Sequence, residues 1–95
     1  MKIPGKLNIL GLDYEIVFRM DGSDPSVNSG SHSAWHNKIW ITQDGGRTEK
    51  AQAQDLIHEI IEAINGANDL KLEHTVISTI ASSLFQVLSD NHLSF

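Results

Sequence analysis

Cysteine is absent from the 95 residues of the chain. Disulfide bonds and thiolate metal ligands are therefore excluded, and a metal site would have to use histidine and carboxylate ligands. A long apolar run is also lacking, since no stretch approaches the roughly 20 residues that a membrane helix needs. The N-terminal segment "MKIPGKLNILGLDYEIVF" is interrupted by Pro4, Gly5 and Gly11 and has no signal-peptide core. We therefore expect a cytoplasmic protein without a membrane partner.

Basic residues are scarce. Seven Lys and Arg stand against twelve Asp and Glu, which gives a net charge of -5 and a pI of about 5.3. The basic residues are scattered along the chain, so they form no patch that could neutralise phosphates, and we expect no nucleic-acid partner. The length predicts one domain, residues 1–95. A domain of this size buries only roughly 60–65% of the surface of its unfolded chain, so its core is small.

The first half of the chain has the alternating pattern of β-strands. The segments "KLNIL" and "YEIVFRM" are separated by Gly11, Leu12 and Asp13 and predict a hairpin. The polar segment "DGSDPSVNSGS", residues 21–31, is rich in turn residues and predicts a mobile loop. "HSAWH" and "KIWITQ" then predict two short strands or one bent strand, with Ile39 and Ile41 on one side and Trp40 on the other.

The hydrophobic period changes to that of helices after Gly46. Thr48 is the expected N-cap of a first helix, and Glu49 is favourable in its first turn. Gly66 either ends that helix or lies inside a continuation, and a second helix is predicted to start near residues 72–74. We expect one shared apolar core between the helices, formed by Ile57, Ile60, Ile61, Ile64, Ile77, Ile80 and Leu84. The predicted fold class is α+β, a small antiparallel sheet followed by two packed helices.

The segment "HEIIEAINGANDLKLEH", residues 58–74, contains the candidate metal ligands. His58 and Glu62 are four residues apart, so on a helix they are neighbours that can hold one ion. His74 lies at the rim of the second apolar stripe, where it can face the partner helix. Two histidines and one carboxylate form a ligand set that zinc uses when a fourth position stays open for water. Glu59 follows the first ligand directly, as does the general base of His-Glu-x-x-His zinc peptidases, and is the candidate catalytic residue.

The stretch "LIHEIIEAIN", followed by "LKLEHTVISTIASSLFQVLSDN", resembles short zincin-like metallopeptidase relatives that phages and prophages encode. The resemblance runs from about Gly30 to Asn91 and includes the lead-in "HSAWHNKIWI". It implies a minimal zincin-like fold, one zinc ion, and hydrolysis of a peptide bond in a peptide or protein substrate. The usual family motif has histidine where this chain has Glu62. A subset exchanges histidine and glutamate between the two ligand positions, and this chain resembles that subset.

Two other interpretations remain open for the same residues. From spacing alone, His58 and Glu62 fit a solvated helix face with an i,i+4 pair that contributes about 0.2–0.5 kcal/mol. A protein of the same fold could also act without catalysis, as a binding module or as the holder of a structural metal. If the chain is a peptidase, we expect its substrate to lie as an extended strand along an edge formed by "KIWIT". The sequence leaves the substrate, the metal and the oligomeric state open.

Several further polar and aromatic residues have a simple structural interpretation that competes with a functional one. Asp55 shares the face of His58 and could orient its ring, but a solvated carboxylate is the simpler expectation. Tyr14 could donate to an oxyanion, yet packing on the sheet is favoured, and Trp35 and Trp40 are expected to pack the sheet against the helices. His32 and His36 could line a substrate cleft, although strand-surface histidines are the simpler interpretation.

Overall fold

The sheet precedes the helices along the chain. A computed structural model describes residues 2–19, 30–33, 37–43 and 47–93. Its elements are β1 (Lys6–Ile9), β2 (Leu12–Arg19), β3 (Gly30–Ser33), β4 (Lys38–Thr42), α1 (Glu49–Ala67) and α2 (His74–Asp90). The predicted α+β class, with a small sheet followed by two packed helices, is confirmed. The second pair of strand segments forms two separate strands, β3 and β4, rather than one bent strand.

The β1–β2 hairpin forms as predicted. Leu7 pairs with Tyr14 in antiparallel register, and the turn lies at Leu10 and Gly11. Both turn residues have positive φ, 52° and 86°, as a two-residue turn that follows the right-handed twist of the strands requires. The Asn8 side chain fixes this turn by accepting a hydrogen bond of 3.0 Å from the Gly11 backbone N–H.

The sheet is mixed, which corrects the prediction that it is antiparallel throughout. The strand order is β1-β2-β4-β3, and β2 pairs with β4 in parallel, with Ile16 opposite Ile39. The prediction assumed that strands close in sequence are antiparallel neighbours. The connection between Arg19 and Lys38 is long enough for a parallel crossover, so β4 lies between β2 and β3. Because β4 is hydrogen-bonded on both sides, the expected substrate edge at "KIWIT" is wrong.

The core lies between one face of the sheet and α1. Ile39 and Ile41 of β4 are fully buried and cluster with Leu56 of α1. Alternation along the strand places Trp40 on the opposite face, where it is half-buried. The sides predicted for these three strand residues are therefore correct. The expectation that Trp40 packs the sheet against the helices is wrong, because the helical layer covers the isoleucine face. The same expectation for Trp35 falls outside the described residues. Tyr14 is buried in this same cluster.

Local signals set the bounds of α1. The Thr48 hydroxyl accepts a 3.1 Å hydrogen bond from the Ala51 backbone N–H, so the predicted N-cap is confirmed. The helix ends at Ala67, one residue after Gly66, so it does not continue to about Leu70, and Gly66 lies in its last turn. The C-cap is Asn68, whose side-chain amide donates to the Ile64 carbonyl at 3.0 Å.

The second helix packs against α1 and contacts no other element among the described residues. Ile77 and Ala81 are each only 1% exposed in this interface. Ile80 and Leu84 are 44% and 42% exposed, so the prediction that they belong to the shared core is wrong. The apolar residues of α2 span a wider arc than one neighbouring helix can cover. Part of that arc is therefore left facing solvent.

The predicted mobile loop at residues 21–31 lies largely outside the described residues. Its last two positions, Gly30 and Ser31, belong to β3. Within the described part of the chain, neither helix combines the length and apolar character needed to cross a membrane.

Candidate metal centre

The three predicted ligands come together where α1 meets the first turn of α2. His58 and Glu62 lie one turn apart on α1, and His74 is the first residue of α2. One ligand atom from each side chain can be chosen so that all three atoms lie within 4.8 Å of one another. The predicted convergence of two histidines and one carboxylate is therefore confirmed as geometry.

Asn65 positions the start of α2, a role that the sequence did not reveal. Its backbone carbonyl accepts a 3.1 Å hydrogen bond from the Leu70 N–H, and its side-chain oxygen accepts a 3.0 Å bond from the Leu72 N–H. Asp69, just before the first contact, and Lys71, between the two, have positive φ, 49° and 58°, so the connection reverses direction tightly. Asn65 thereby ties the loop that carries His74 to the end of α1.

The two imidazole rings face each other across the helix pair. The ring centroids of His58 and His74 are 5.0 Å apart, and the ring planes are inclined at 57°. The Ser78 hydroxyl lies 3.4 Å from Nε2 of His74, a long contact that can orient the ring weakly. His58 and Glu62 are half-buried, whereas His74 is exposed. The group is therefore anchored on α1 and open to solvent on the side of α2.

The spacing fits a small divalent cation after modest side-chain adjustment. Three atoms that each lie 2.0–2.2 Å from one ion at tetrahedral angles are about 3.3–3.6 Å apart. The largest separation here is at most 4.8 Å, so closing it requires about 1.2–1.5 Å of movement. Because His74 is exposed at a helix start, its side chain can supply that movement without disturbing the core. Two imidazoles and a carboxylate form a donor set that both zinc and iron(II) use in proteins, so the geometry does not select one metal.

Glu59, the predicted general base, is buried. It is 6% exposed and already takes part in an interaction within the chain. It follows His58 directly, but a helix turns by about 100° per residue, so Glu59 lies to one side of the line that joins the metal-ligand candidates. The Glu59 side chain therefore has little access to solvent.

Asp55 is ion-paired rather than solvated, which corrects the simpler expectation for this residue. Its carboxylate pairs with the Arg47 guanidinium, and its side chain is 13% exposed. Arg47 directly precedes the N-cap, Thr48, so the pair links the segment before α1 to the helix turn that precedes His58. The sequence offered no signal for this partner, because Arg47 lies outside the helical pattern.

The remaining candidates lie outside the metal-ligand group. Tyr14 is 4% exposed within the sheet core, which agrees with a packing role. His32 lies on β3, and His36 falls outside the described residues, so the proposed cleft roles of both remain predictions.

No protein-family model, curated protein sequence or solved structure matches the chain. The resemblance to zincin-like peptidases therefore stays a prediction that rests on the residues of this chain.

Proposed function

We propose that the chain is a zinc-dependent metallopeptidase that binds one zinc ion through His58, Glu62 and His74. The observation that carries this proposal is the convergence of their ligand atoms to within 4.8 Å across two helices. Three protein ligands leave a tetrahedral ion one position for water or substrate, as catalytic zinc sites do and closed structural sites do not. The exposure of His74 agrees with access to that position from solvent.

The chemistry divides between the ion and the chain. A bound zinc ion would lower the pKa of a water molecule and polarise the carbonyl of the scissile peptide bond. Glu59 would accept a proton from the attacking water and pass it to the leaving amine nitrogen. The oxygen of the water then joins the carbonyl carbon, the C–N bond breaks, and the products are a carboxylate and an amine.

The substrate would be an extended peptide on the outer edge of β3. Among the described residues β3 is paired on one side only, with β4, and it lies close to α1. The edge strand of a sheet can add a peptide as a further strand through main-chain hydrogen bonds. This replaces the interior strand β4 as the expected site of substrate binding.

A structural metal site is the second candidate, and the burial of Glu59 favours it. Glu59 is 6% exposed, so its carboxylate is less accessible to a substrate water than that of a solvated residue. In that case zinc would join the start of α2 to α1, and the protein would act without hydrolysis.

Peptide hydrolysis by zinc-loaded protein, purified without an affinity tag, separates the two candidates. Incubation with a mixture of unstructured peptides, read by mass spectrometry, should yield cleavage products with the unaltered chain. Glu59→Gln should retain zinc and lose cleavage, because an amide cannot accept the proton of the water. His92→Ala is the matched control, since His92 is exposed beyond the end of α2. Full zinc occupancy without any cleavage would reject the peptidase and support the structural site.

A further inference from the structure

A second apolar stripe runs along α2 on a face that α1 does not cover. Its members are spaced by four, four and three residues, so they share one side of the helix. They are Val76, Ile80, Leu84 and Val87, which are 41%, 44%, 42% and 45% exposed. Single exposed apolar residues are ordinary on protein surfaces, but a continuous stripe of four marks a surface that another molecule covers.

The charge distribution indicates what kind of molecule fits this stripe. Between His74 and Asp90, α2 contains no acidic or basic residue, although the whole chain carries a net charge of -5. Two copies of so acidic a chain repel each other wherever their charged surfaces meet. Two copies can approach along α2 without contact between like charges. The cores of protein interfaces are depleted of charged residues, as this segment of α2 is.

The stripe is also nearly symmetric about its own centre. It has a valine at each end and one larger residue, Ile80 or Leu84, on each side of the middle. When a second copy of α2 is laid antiparallel so that Val76 faces the copy's valine at 87, Ile80 falls within one residue of the copy's leucine at 84. Ser83 lies near the centre of this crossing, where a small side chain allows two helices to approach closely. A surface that matches its own reverse is what a two-fold symmetric dimer requires.

We propose that the protein forms a two-fold symmetric homodimer through antiparallel pairing of α2 along Val76, Ile80, Leu84 and Val87. His74 shares the α1-facing side of α2 with Ile77 and Ala81, so the metal-ligand group stays outside the contact. The dimer goes beyond the proposed function and does not depend on it.

Light scattering after size-exclusion chromatography tests the proposal on the full chain. The unaltered protein should run at 2 × 10.5 = 21 kDa and dissociate on dilution. Ile80→Glu and Leu84→Glu should each run at 10.5 kDa and weaken the dimer by about 100-fold or more, because the opposing face has no cation for a buried carboxylate. Thr75→Glu adds the same charge to an exposed position off the stripe and should remain dimeric. A monomer at all concentrations, or equal effects of the three variants, would overturn the proposal.

Cross-linking tests the antiparallel arrangement separately, and the absence of cysteine makes the result unambiguous. Ser83→Cys should form an intermolecular disulfide under mild oxidation, because the two copies of this position lie near the symmetry axis. Val76→Cys should not link to itself, since the two copies of that position are separated along the axis by 11 residues, or about 16 Å. Efficient linking of Val76→Cys, or none with Ser83→Cys, would contradict antiparallel pairing.

Discussion

Ile77→Ala should loosen the docking of α2 and thereby weaken metal binding, although Ile77 is not a candidate ligand. Ile77 is 1% exposed and lies in the interface between α2 and α1. Truncating a buried isoleucine costs about 2–5 kcal/mol, and we expect about 3 kcal/mol here. In a domain of this size each 1 kcal/mol lowers the melting temperature by about 4–8 °C, so the expected shift is about 12–24 °C. Because α2 carries His74, zinc affinity should fall together with the stability of the helix pair.

Ile80→Ala is the matched control for that substitution, since it makes the same change three residues further along α2. Ile80 is 44% exposed, so its truncation should alter the free energy of unfolding of the monomer by no more than about 0.5 kcal/mol. Thermal unfolding followed by circular dichroism should be recorded at low protein concentration, where the proposed dimer dissociates. Equal melting shifts for the two variants would refute the assignment of buried and exposed faces on α2.

Substitutions at four further positions test local features of the structure. Gly66→Ala should stabilise the protein by about 0.5–1 kcal/mol in urea unfolding, because Gly66 lies inside α1 with open space for a Cβ. Gly11→Ala should destabilise it by a similar or larger amount, since Gly11 has a φ of +86°; a gain in stability there would contradict the hairpin turn. Thr48→Ala should cost about 1 kcal/mol by the same measurement through loss of the N-cap, and Thr48→Ser should retain most of that stability. Ser78→Ala should weaken zinc binding by less than about 10-fold in calorimetry, because its contact with the His74 ring is 3.4 Å long; a complete loss of binding would show that the contact is stronger than its length indicates.

The sequence predicted the elements that depend on local chemistry. Thr48 begins α1 because its hydroxyl satisfies a free backbone N–H, and this requirement acts within one turn of chain. The pairing of His58 with Glu62 follows from the helical repeat alone. The position of His74 beside them agrees with its place on the rim of an apolar stripe, from which a side chain can face the partner helix.

The incorrect predictions depend on contacts between distant parts of the chain. Periodicity identified β4 as a strand but carries no information about its neighbours, so its parallel pairing with β2 was missed. The apolar repeat of α2 likewise does not say how many surfaces cover the helix, and Ile80 and Leu84 were assigned to a core that only Ile77 and Ala81 enter fully. The ion pair between Arg47 and Asp55 depends on the path of the chain before α1, which the sequence pattern does not predict.

Isothermal titration of the tag-free protein with zinc tests the central claim most directly. The account predicts one ion bound per chain, loss of binding in His58→Ala, Glu62→Ala and His74→Ala, and unchanged binding in His92→Ala. A protein that binds no zinc, or one whose binding survives the removal of Glu62, would contradict the site that α1 and α2 form together.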